Sequence, residues 1–574
     1  MNYTISYRNP HTQFIYIQME ADFGTDLEKK LQLPVWRPGR YERGDFAQYV
    51  TGFSVTDTEG NPLAWKKKNA ALWEIFGDTQ KVVVSYRFHA GILNAGSTWL
   101  DAHQLYVNPV NCLMYIPGAE NRPCVLQLEI PDHYLVATSL KETAKNVFHT
   151  DSYHTLADSP FIAGDRLQYH RFECGGILFS FWFSGECRPA WKRIQADAEA
   201  IIRSQLEIMP GFPVKEYHVL CHVLPHHAYH GVEHTASTVL TLGPSHELME
   251  PSLYNELLGI FSHELFHVWN VKTIRPADLF PYDYARENYS ELGYVYEGVT
   301  TYYGDLFCLR SKTFSWEVFN DILNDWITKH YHNYGRKSYS VAQSSFDTWL
   351  DGYKPGIPHR KVSIYNEGAL CALMADLTIR HKSDGKHGLD DVMHEMDTTF
   401  GHGKKGYTRD DYKGLLEKYA GASFDTFYNA YVEGTDDYGK SLLPLLHTVG
   451  LALYTKENTS FAARHYGFKT KTEGDKLTVT SIAPASPAEN GGMMLQDEIR
   501  AVNGIRICND LDQWLNYFSE EDRIELTLYG AEGIRRVFLI RQNRTYFPGY
   551  VVLKKENATE AERISFERWS GNPF

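Results

Sequence analysis

The segment GIFSHELFHVWNVKTIRP, residues 259–276, sets three polar residues at fixed spacing within a run of large apolar ones. His263 and His267 stand four apart, and Glu264 follows the first histidine. In a helix this spacing places both imidazoles on one face, about one turn apart. Two such imidazoles can bind one tetrahedral zinc ion, and Glu264 then lies where it can take a proton from water. The segment predicts a buried helix with one polar, metal-binding edge.

A core helix with packed histidines is the alternative interpretation, because this motif also arises by chance. Glu264 would then be a carboxylate in an apolar run without a partner, which burial penalises. A metal would supply the partner but needs a third ligand. Glu297, in the second apolar helix YVYEGVTTYYGDL, is our candidate, with an ion-paired helix residue as the structural alternative. Two histidines and one glutamate leave a fourth position open, as hydrolytic zinc sites require.

The length of 574 residues predicts three or four domains and a multidomain α+β protein. Residues 1–165 contain short β-branched and aromatic segments between turn residues, which predicts an antiparallel β domain. Residues 166–450 change to a few strands followed by many helical periods, which predicts an α+β domain. Residues 455–545 return to short strands and form a separate small domain, and residues 546–574 are left as a C-terminal tail.

Charge and hydropathy exclude several classes of partner. The net charge of −14 argues against nucleic acid or an anionic membrane, since either requires a basic surface. No stretch approaches the roughly 20 apolar residues of a membrane span. The strand-like start lacks a signal segment, so we expect a cytoplasmic protein unless a leader has been removed. The eight cysteines form no Cys-x-x-Cys pair, and we expect free buried thiols.

Taken together, HELFHVWNVKTIRP and the later YEGVTTYY resemble the glycyl aminopeptidase family of PDZ-containing zinc metallopeptidases, distant relatives of the aminopeptidase N family. LPVWRPGRY in the β domain adds to a resemblance that covers nearly the whole chain. The 29 residues between His267 and Glu297 also fit this branch. The resemblance implies a thermolysin-like, mainly helical catalytic domain with one zinc ion. It also implies removal of small N-terminal residues, glycine or alanine, from peptides with a free N-terminus.

Two further site residues follow from this resemblance. Glu233, in YHGVEHTAS, stands where aminopeptidase N carries its amine-binding glutamate, and we place it in a loop. Tyr365, in SIYNEGALCALMADL, resembles the tyrosine that assists the oxyanion, with a packing tyrosine as the alternative. The surrounding histidines are interpreted as a cleft-lining loop, with a second metal site as the alternative; they are His226, His227, His230 and His234.

The segment SPAENGGMMLQDEIRAVNG resembles the signature of a PDZ domain. Such domains bind extended peptides by strand addition and hold the chain terminus with loop N–H groups. The matching loop would contain Tyr466, Gly467 and Phe468. Two interpretations stay open: the domain binds a peptide ligand, or it only braces the catalytic domain.

The predicted function is therefore a zinc aminopeptidase. Metal binding falls to His263, His267 and Glu297, and water activation to Glu264. Glu233 would bind the substrate amine, and Tyr365 would stabilise the oxyanion. Two rivals remain: a zinc endopeptidase using the same metal, and a peptide-binding PDZ protein whose metal is structural.

Overall fold

The computed structural model describes residues 1–25, 27–209, 211–401, 403 and 405–574. Its N-terminal part is built from strands, with two short helices, α1 (Pro109–Cys112) and α2 (Tyr153–Ala157). The strands are β1 (Asn2–Tyr7), β2 (Phe14–Asp22), β3 (Lys30–Gln32), β4 (Val50–Asp57), β5 (Trp65–Asn69), β6 (Leu72–Ile75), β7 (Lys81–His89), β8 (Trp99–Leu100), β9 (Gln104–Val107), β10 (Cys124–Glu129), β11 (Leu135–Thr138), β12 (Lys141–Ala144), β13 (Val147–Thr150) and β14 (Phe161–Gly164).

These strands form three sheets, which confirms the predicted β-rich N-terminal part. The largest has seven strands in the order β12-β13-β10-β1-β2-β7-β4, beside a four-stranded and a three-stranded sheet. Along β2 and β7 every second residue is buried, as the pleat requires of a sheet with one apolar face. The expectation of a purely antiparallel domain was wrong in one pairing, because β1 and β10 run parallel.

A five-stranded sheet opens the next region, in the order β15-β16-β17-β19-β18. Its members are β15 (Gln168–Cys174), β16 (Ile177–Ser184), β17 (Glu216–Val223), β18 (Ala228–Glu233) and β19 (Ser237–Gly243). The histidine-rich segment, expected as a loop, is in fact the edge strand β18, antiparallel to β19. Its polar composition hid the strand, because an edge strand that borders a cleft needs no apolar outer side.

Helices cover most of residues 191–448. They are α3 (Trp191–Leu206), α4 (Pro251–Phe266), α5 (Gly293–Tyr296), α6 (Gly298–Arg310), α7 (Trp316–His332), α8 (Val341–Phe346), α9 (Thr348–Asp351), α10 (Ile364–Lys382), α11 (Leu389–Phe400), α12 (Arg409–Ala420), α13 (Asp425–Phe427) and α14 (Gly439–Thr448). The predicted helical part is thereby confirmed. Helix α4 ends earlier than the apolar run suggested, and the second apolar segment is divided into α5 and α6 at Glu297.

The C-terminal region contains β20 (Leu451–Lys456), β21 (Phe468–Glu473), β22 (Lys476–Ile482), α15 (Pro487–Asn490), β23 (Glu498–Val502), β24 (Ile505–Arg506), α16 (Leu511–Tyr517), β25 (Arg523–Gly530), β26 (Gly533–Ile540), β27 (Gly549–Lys554) and α17 (Glu560–Ser570). Strands β21 to β26 form one sheet over their own apolar core, apart from the core shared by the rest of the chain.

The segment left as a tail is folded onto the catalytic helices. Strand β27 pairs with β20, and Trp569 of α17 donates a hydrogen bond from Nε1 to the Tyr302 hydroxyl at 2.8 Å. Among helices built from described residues, none has the length and apolar sequence that a bilayer crossing needs. All eight cysteines are free, and Cys508 alone among them is exposed.

Candidate metal centre

Three side chains converge at the end of α4. Nε2 of His263 and Nε2 of His267 lie 3.0 Å apart. Oε2 of Glu297 lies 3.4 Å from His267 Nε2 and 3.9 Å from His263 Nε2. Ligands at 2.0–2.1 Å from a tetrahedral zinc ion are about 3.3 Å from one another. The donor atoms therefore fit one small cation, and the structure brings the three sequence-predicted ligands together.

A turn after α4 fixes the orientation of His267. Its Nδ1 lies 2.7 Å from the carbonyl oxygen of Asn270 and donates to it, which leaves Nε2 for a metal. The Asn270 side chain donates in turn to the Val295 carbonyl and the Thr300 hydroxyl, at 2.9 and 3.0 Å. These bonds tie the end of α4 to the break between α5 and α6, where Glu297 lies. The two parts of the ligand set are thus held in register.

Glu264 and Glu233 meet between α4 and the edge strand β18. A Cβ added to Gly231 of β18 would collide with Oε1 of Glu264, so this close approach requires glycine. Glu233 is the last residue of β18, and its carboxylate packs against Gly39 of the N-terminal domain, which has a φ of +82°. Carboxylate oxygens of Glu233 and Glu264 lie within 4.8 Å of each other and of a His267 ring nitrogen. The amine-anchor candidate therefore lies beside the metal ligands.

The negative charges of this cluster are only partly compensated, by His267 and Arg37. Burial, reinforced by Glu233 and Glu297, raises the pKa of Glu264 well above its ordinary value. Burial also raises the pKa of Glu297. For His267 burial works in the opposite direction, but the Glu297 carboxylate outweighs it and the pKa rises to about 10. Oε1 of Glu233 and Oε2 of Glu264 are buried without a hydrogen-bond partner among the described residues. Such a site favours cations.

Tyr365 reaches the same cleft from the first turn of α10. A cavity of about 320 Å³ is lined by Tyr365 together with the metal ligands, Glu233 and Glu264. Burial and the nearby Glu297 carboxylate raise the pKa of Tyr365 well above its ordinary value, so its hydroxyl stays protonated and can donate. That hydroxyl lies 3.3 Å from the Tyr353 hydroxyl, which also accepts from the Tyr41 N–H.

Sequence reasoning missed the part played by the N-terminal domain. Tyr41, in LPVWRPGRY, lies close to the Glu297 carboxylate and offsets part of the rise in its pKa that burial causes. Arg37 of the same segment is buried and close enough to stabilise the charges of Glu233 and Glu264. The motif carried the family resemblance, yet its local sequence contains no sign that it meets a helix more than 200 residues away.

The four histidines around β18 do not converge. His226 and His227 are exposed, while Nδ1 of His234 lies 3.1 Å from a carboxylate oxygen of Asp158. Among the described residues, two groups of His, Cys, Asp or Glu have ligand atoms within 4.8 Å of one another. Both groups include His267, and neither includes any of these four histidines. The structure therefore does not bring these four histidines together as a ligand set.

The five-stranded sheet and its edge strand lie next to two helices whose ends bring His263, His267 and Glu297 to one point, which forms a candidate metal centre. The model of the peptidase M61 N-terminal domain matches residues 2–165, and that of the M61 glycyl aminopeptidase matches residues 256–371. The chain therefore has the N-terminal and catalytic domains of the M61 metallo-aminopeptidases, which confirms the resemblance and the enzyme class.

Solved structures extend this comparison. The chain is similar to an aminopeptidase N family protein from Idiomarina loihiensis, with a TM-score of 0.91, 26% identity and 99% of each chain covered. An M1 zinc metallopeptidase from Deinococcus radiodurans shares the fold at a TM-score of 0.50 and 14% identity, over 76% of this chain and 94% of that one. Among curated proteins, the search finds no match to this sequence.

Proposed function

We propose that this chain is a zinc-dependent aminopeptidase that removes small N-terminal residues, glycine or alanine, from peptides. The observation that carries the proposal is the Glu233 carboxylate, which is buried beside the metal ligands and lacks a hydrogen-bond partner for Oε1 among the described residues. A substrate ammonium group would supply both the missing charge and the missing donors. The preference for a small first residue is supported by the similarity of residues 256–371 to the M61 glycyl aminopeptidase.

The donor set fits zinc. Two imidazole nitrogens and one carboxylate oxygen, 3.0 to 3.9 Å apart, are a ligand set that zinc accepts with one position left open. His263, His267 and Glu297 would hold the ion. When bound, it would polarise the scissile carbonyl and lower the pKa of a coordinated water towards about 7.

The remaining steps belong to the chain's own side chains. Glu233 binds the α-ammonium group and so fixes the first peptide bond over the site. Glu264 takes a proton from the attacking water and delivers it to the leaving nitrogen as the C–N bond breaks. Tyr365 donates a hydrogen bond to the oxygen that gains negative charge at the attacked carbonyl.

For residues 455–545 we propose a PDZ-like domain that braces the catalytic domain. Four N–H groups of the loop before β21 already donate within the protein, those of Ala462, Ala463, Arg464 and Gly467. Lys469 of β21 instead contacts the catalytic domain, with Nζ 2.7 Å from Nδ1 of His332. These contacts favour bracing over capture of a peptide terminus by this loop.

A peptide panel tests the proposed function. Purified enzyme is offered Gly-, Ala- and Leu-initiated tripeptides, free or N-acetylated, with and without a chelator. We expect cleavage of the free Gly and Ala peptides only, abolished by chelator and restored by zinc. Glu233→Gln should lower kcat/KM for free peptides by about 100-fold, because it removes a charged partner of the ammonium group. The exposed Glu207→Gln serves as the control.

Two outcomes contradict the proposal. Equal cleavage of acetylated and free peptides would refute the amine-anchor role and favour an endopeptidase. Full activity in chelator would refute the metal dependence.

A further inference from the structure

Asp305 is a further carboxylate in the metal-site cavity. It lies on α6, eight residues after Glu297, and lines the same cavity of about 320 Å³. Its carboxylate forms no hydrogen bond or ion pair with any residue in the described ranges. Burial raises its pKa to about 7, and no basic side chain contributes to offset that effect. The proposed hydrolysis does not use this residue, so its charge is left for a ligand.

The residues of β18 place Asp305 relative to the rest of the site. Tyr229, Gly231 and Glu233 alternate along the strand and therefore share one side of it. Glu233 marks one end, and Gly231 lies against Glu264 in the middle. Tyr229, which is about half exposed, marks the other end, where desolvation of its hydroxyl and the neighbouring Asp305 carboxylate raise its pKa. Two-residue steps along a strand are about 6.7 Å each, so the ends are about 13 Å apart.

A peptide bound along this strand has its residues in the same order. If Glu233 holds the α-ammonium group, which rests on the proposed function, the first peptide bond lies at Glu264 and the metal ligands. An extended peptide advances about 3.3 Å per residue, so the second residue ends about 6.6 Å from Glu233, beside Gly231, and a long side chain on it can reach from there towards Tyr229. There the wall of the cavity is formed by Gly259 and Ile260 of α4 and by Asp305 of α6.

We propose that Asp305 selects a cationic side chain, lysine or arginine, at the second residue of the substrate. Ile260 is only 3% exposed but lines the cavity, and the aliphatic part of such a side chain would contact it there. Gly259 leaves the approach open, because even a Cβ at that position would lie 3.7 Å from Asp305 Oδ1. The charged end then meets a partly buried carboxylate that no side chain of the described chain neutralises.

The test compares second residues while the first is kept constant. Gly-Lys-Ala, Gly-Leu-Ala and Gly-Glu-Ala amides are offered to the wild type, to Asp305→Asn and to Asp305→Ser, and glycine release is measured. We expect the wild type to favour lysine over glutamate by about ten-fold or more in kcat/KM, since a charged hydrogen bond contributes that much. Both Asp305 variants should reduce this ratio to about two-fold or less. Asp321→Asn, an exposed aspartate on α7, should keep the wild-type ratio.

A second comparison needs no substitution in the protein. Arginine and citrulline have nearly the same shape but differ in charge, so the wild type should favour Gly-Arg-Ala over Gly-citrulline-Ala amide by a similar factor. Equal rates for this pair, or an unchanged lysine-to-glutamate ratio in folded Asp305→Asn, overturn the inference.

Glycine 7-amido-4-methylcoumarin separates this failure from failure of the proposed function, because it has no second residue. If the wild type cleaves this compound and rejects its N-acetyl form, the aminopeptidase function stands even when the second-residue preference is absent. If it does not distinguish the two forms, both proposals fall.

Discussion

Helix α6 carries buried charge on two faces, and the two faces differ in how that charge is compensated. On the face away from the cleft, the Tyr302 hydroxyl donates to Asp376 at 2.6 Å, and Arg310 contacts Asp390 at 3.0 Å. Arg380 lies 2.9 Å from both aspartates. Burial alone would raise the pKa of Asp390, but the two arginines hold it well below its usual range. On this face the buried carboxylates are therefore neutralised and hydrogen-bonded by the protein's own side chains.

On the cleft face the carboxylates have no such cations. Glu297 directly precedes α6 and Asp305 lies on it, while Glu233 and Glu264 approach from β18 and α4. In the described chain, no lysine or arginine forms an ion pair with any of the four. Burial raises the pKa of Glu297, Glu264 and Asp305. Under the proposed function, the paired carboxylates packed against α6 stabilise the fold, whereas the unpaired ones at the cleft would bind a metal ion and a cationic substrate.

Among the substitutions that test this comparison, Glu264→Gln should have the largest effect, a loss of kcat. The substitution keeps the shape but removes the base, so kcat should fall by about 10³-fold or more, within the usual range for a general acid–base residue. Zinc content and melting temperature should stay at or above the wild-type values, because an unpaired buried charge is removed. Hydrolysis is measured on Gly-initiated peptides. Full activity with zinc retained would refute the catalytic role and favour a structural metal.

Asp390→Ala should lower the stability of the protein and leave its activity unchanged, the opposite of Glu264→Gln. Removing one member of a buried ion pair leaves Arg310 and Arg380 undercompensated, which costs about 3 kcal/mol or more of unfolding free energy. Urea denaturation measures the change, with the exposed Asp321→Ala as the control. Activity per folded molecule should match the wild type. A loss below about 0.5 kcal/mol, the range of ordinary surface substitutions, would remove the distinction between the two faces.

Tyr365→Phe should have the smallest effect of the three. It removes one hydrogen-bond donor from the cleft, which lowers kcat by about 100-fold when that donor serves an oxyanion. KM should change little, because the hydroxyl is needed only as charge develops. Steady-state kinetics on a free-amine peptide measures both constants. A rise in KM with unchanged kcat would assign Tyr365 to ground-state binding instead.

Local sequence was sufficient for part of this site. The spacing of His263 and His267 depends on helix geometry alone, and Glu297 was found because a carboxylate in an apolar helix needs a partner. Asp305 lies in the same segment, YVYEGVTTYYGDL, and is likewise a carboxylate in an apolar helix that needs a partner. For the protein as a whole, the β-rich and helical parts were predictable from strand and helix periods.

Other features depend on tertiary contacts and left no local signal. The side of β18 that faces the cleft carries Tyr229, Gly231 and Glu233. Because none of these is a large aliphatic residue, an alternating apolar pattern does not reveal the strand. Gly39 and Tyr41 act on Glu233 and Glu297 only because the N-terminal domain packs over the cleft. The C-terminal segment was left as a tail, yet α17 packs on α6 through Trp569 and Tyr302. Long-range packing, which no short window of sequence contains, decided these positions.

The zinc content of Glu297→Gln tests the central claim most directly. Wild-type enzyme and the variant are dialysed against the same limiting concentration of zinc, and the metal per chain is measured by elemental analysis. We predict one zinc ion per wild-type chain and a fraction of that in the variant, with both proteins folded. Equal zinc content in the two would contradict the claim that Glu297, at the break between α5 and α6, provides the third metal ligand.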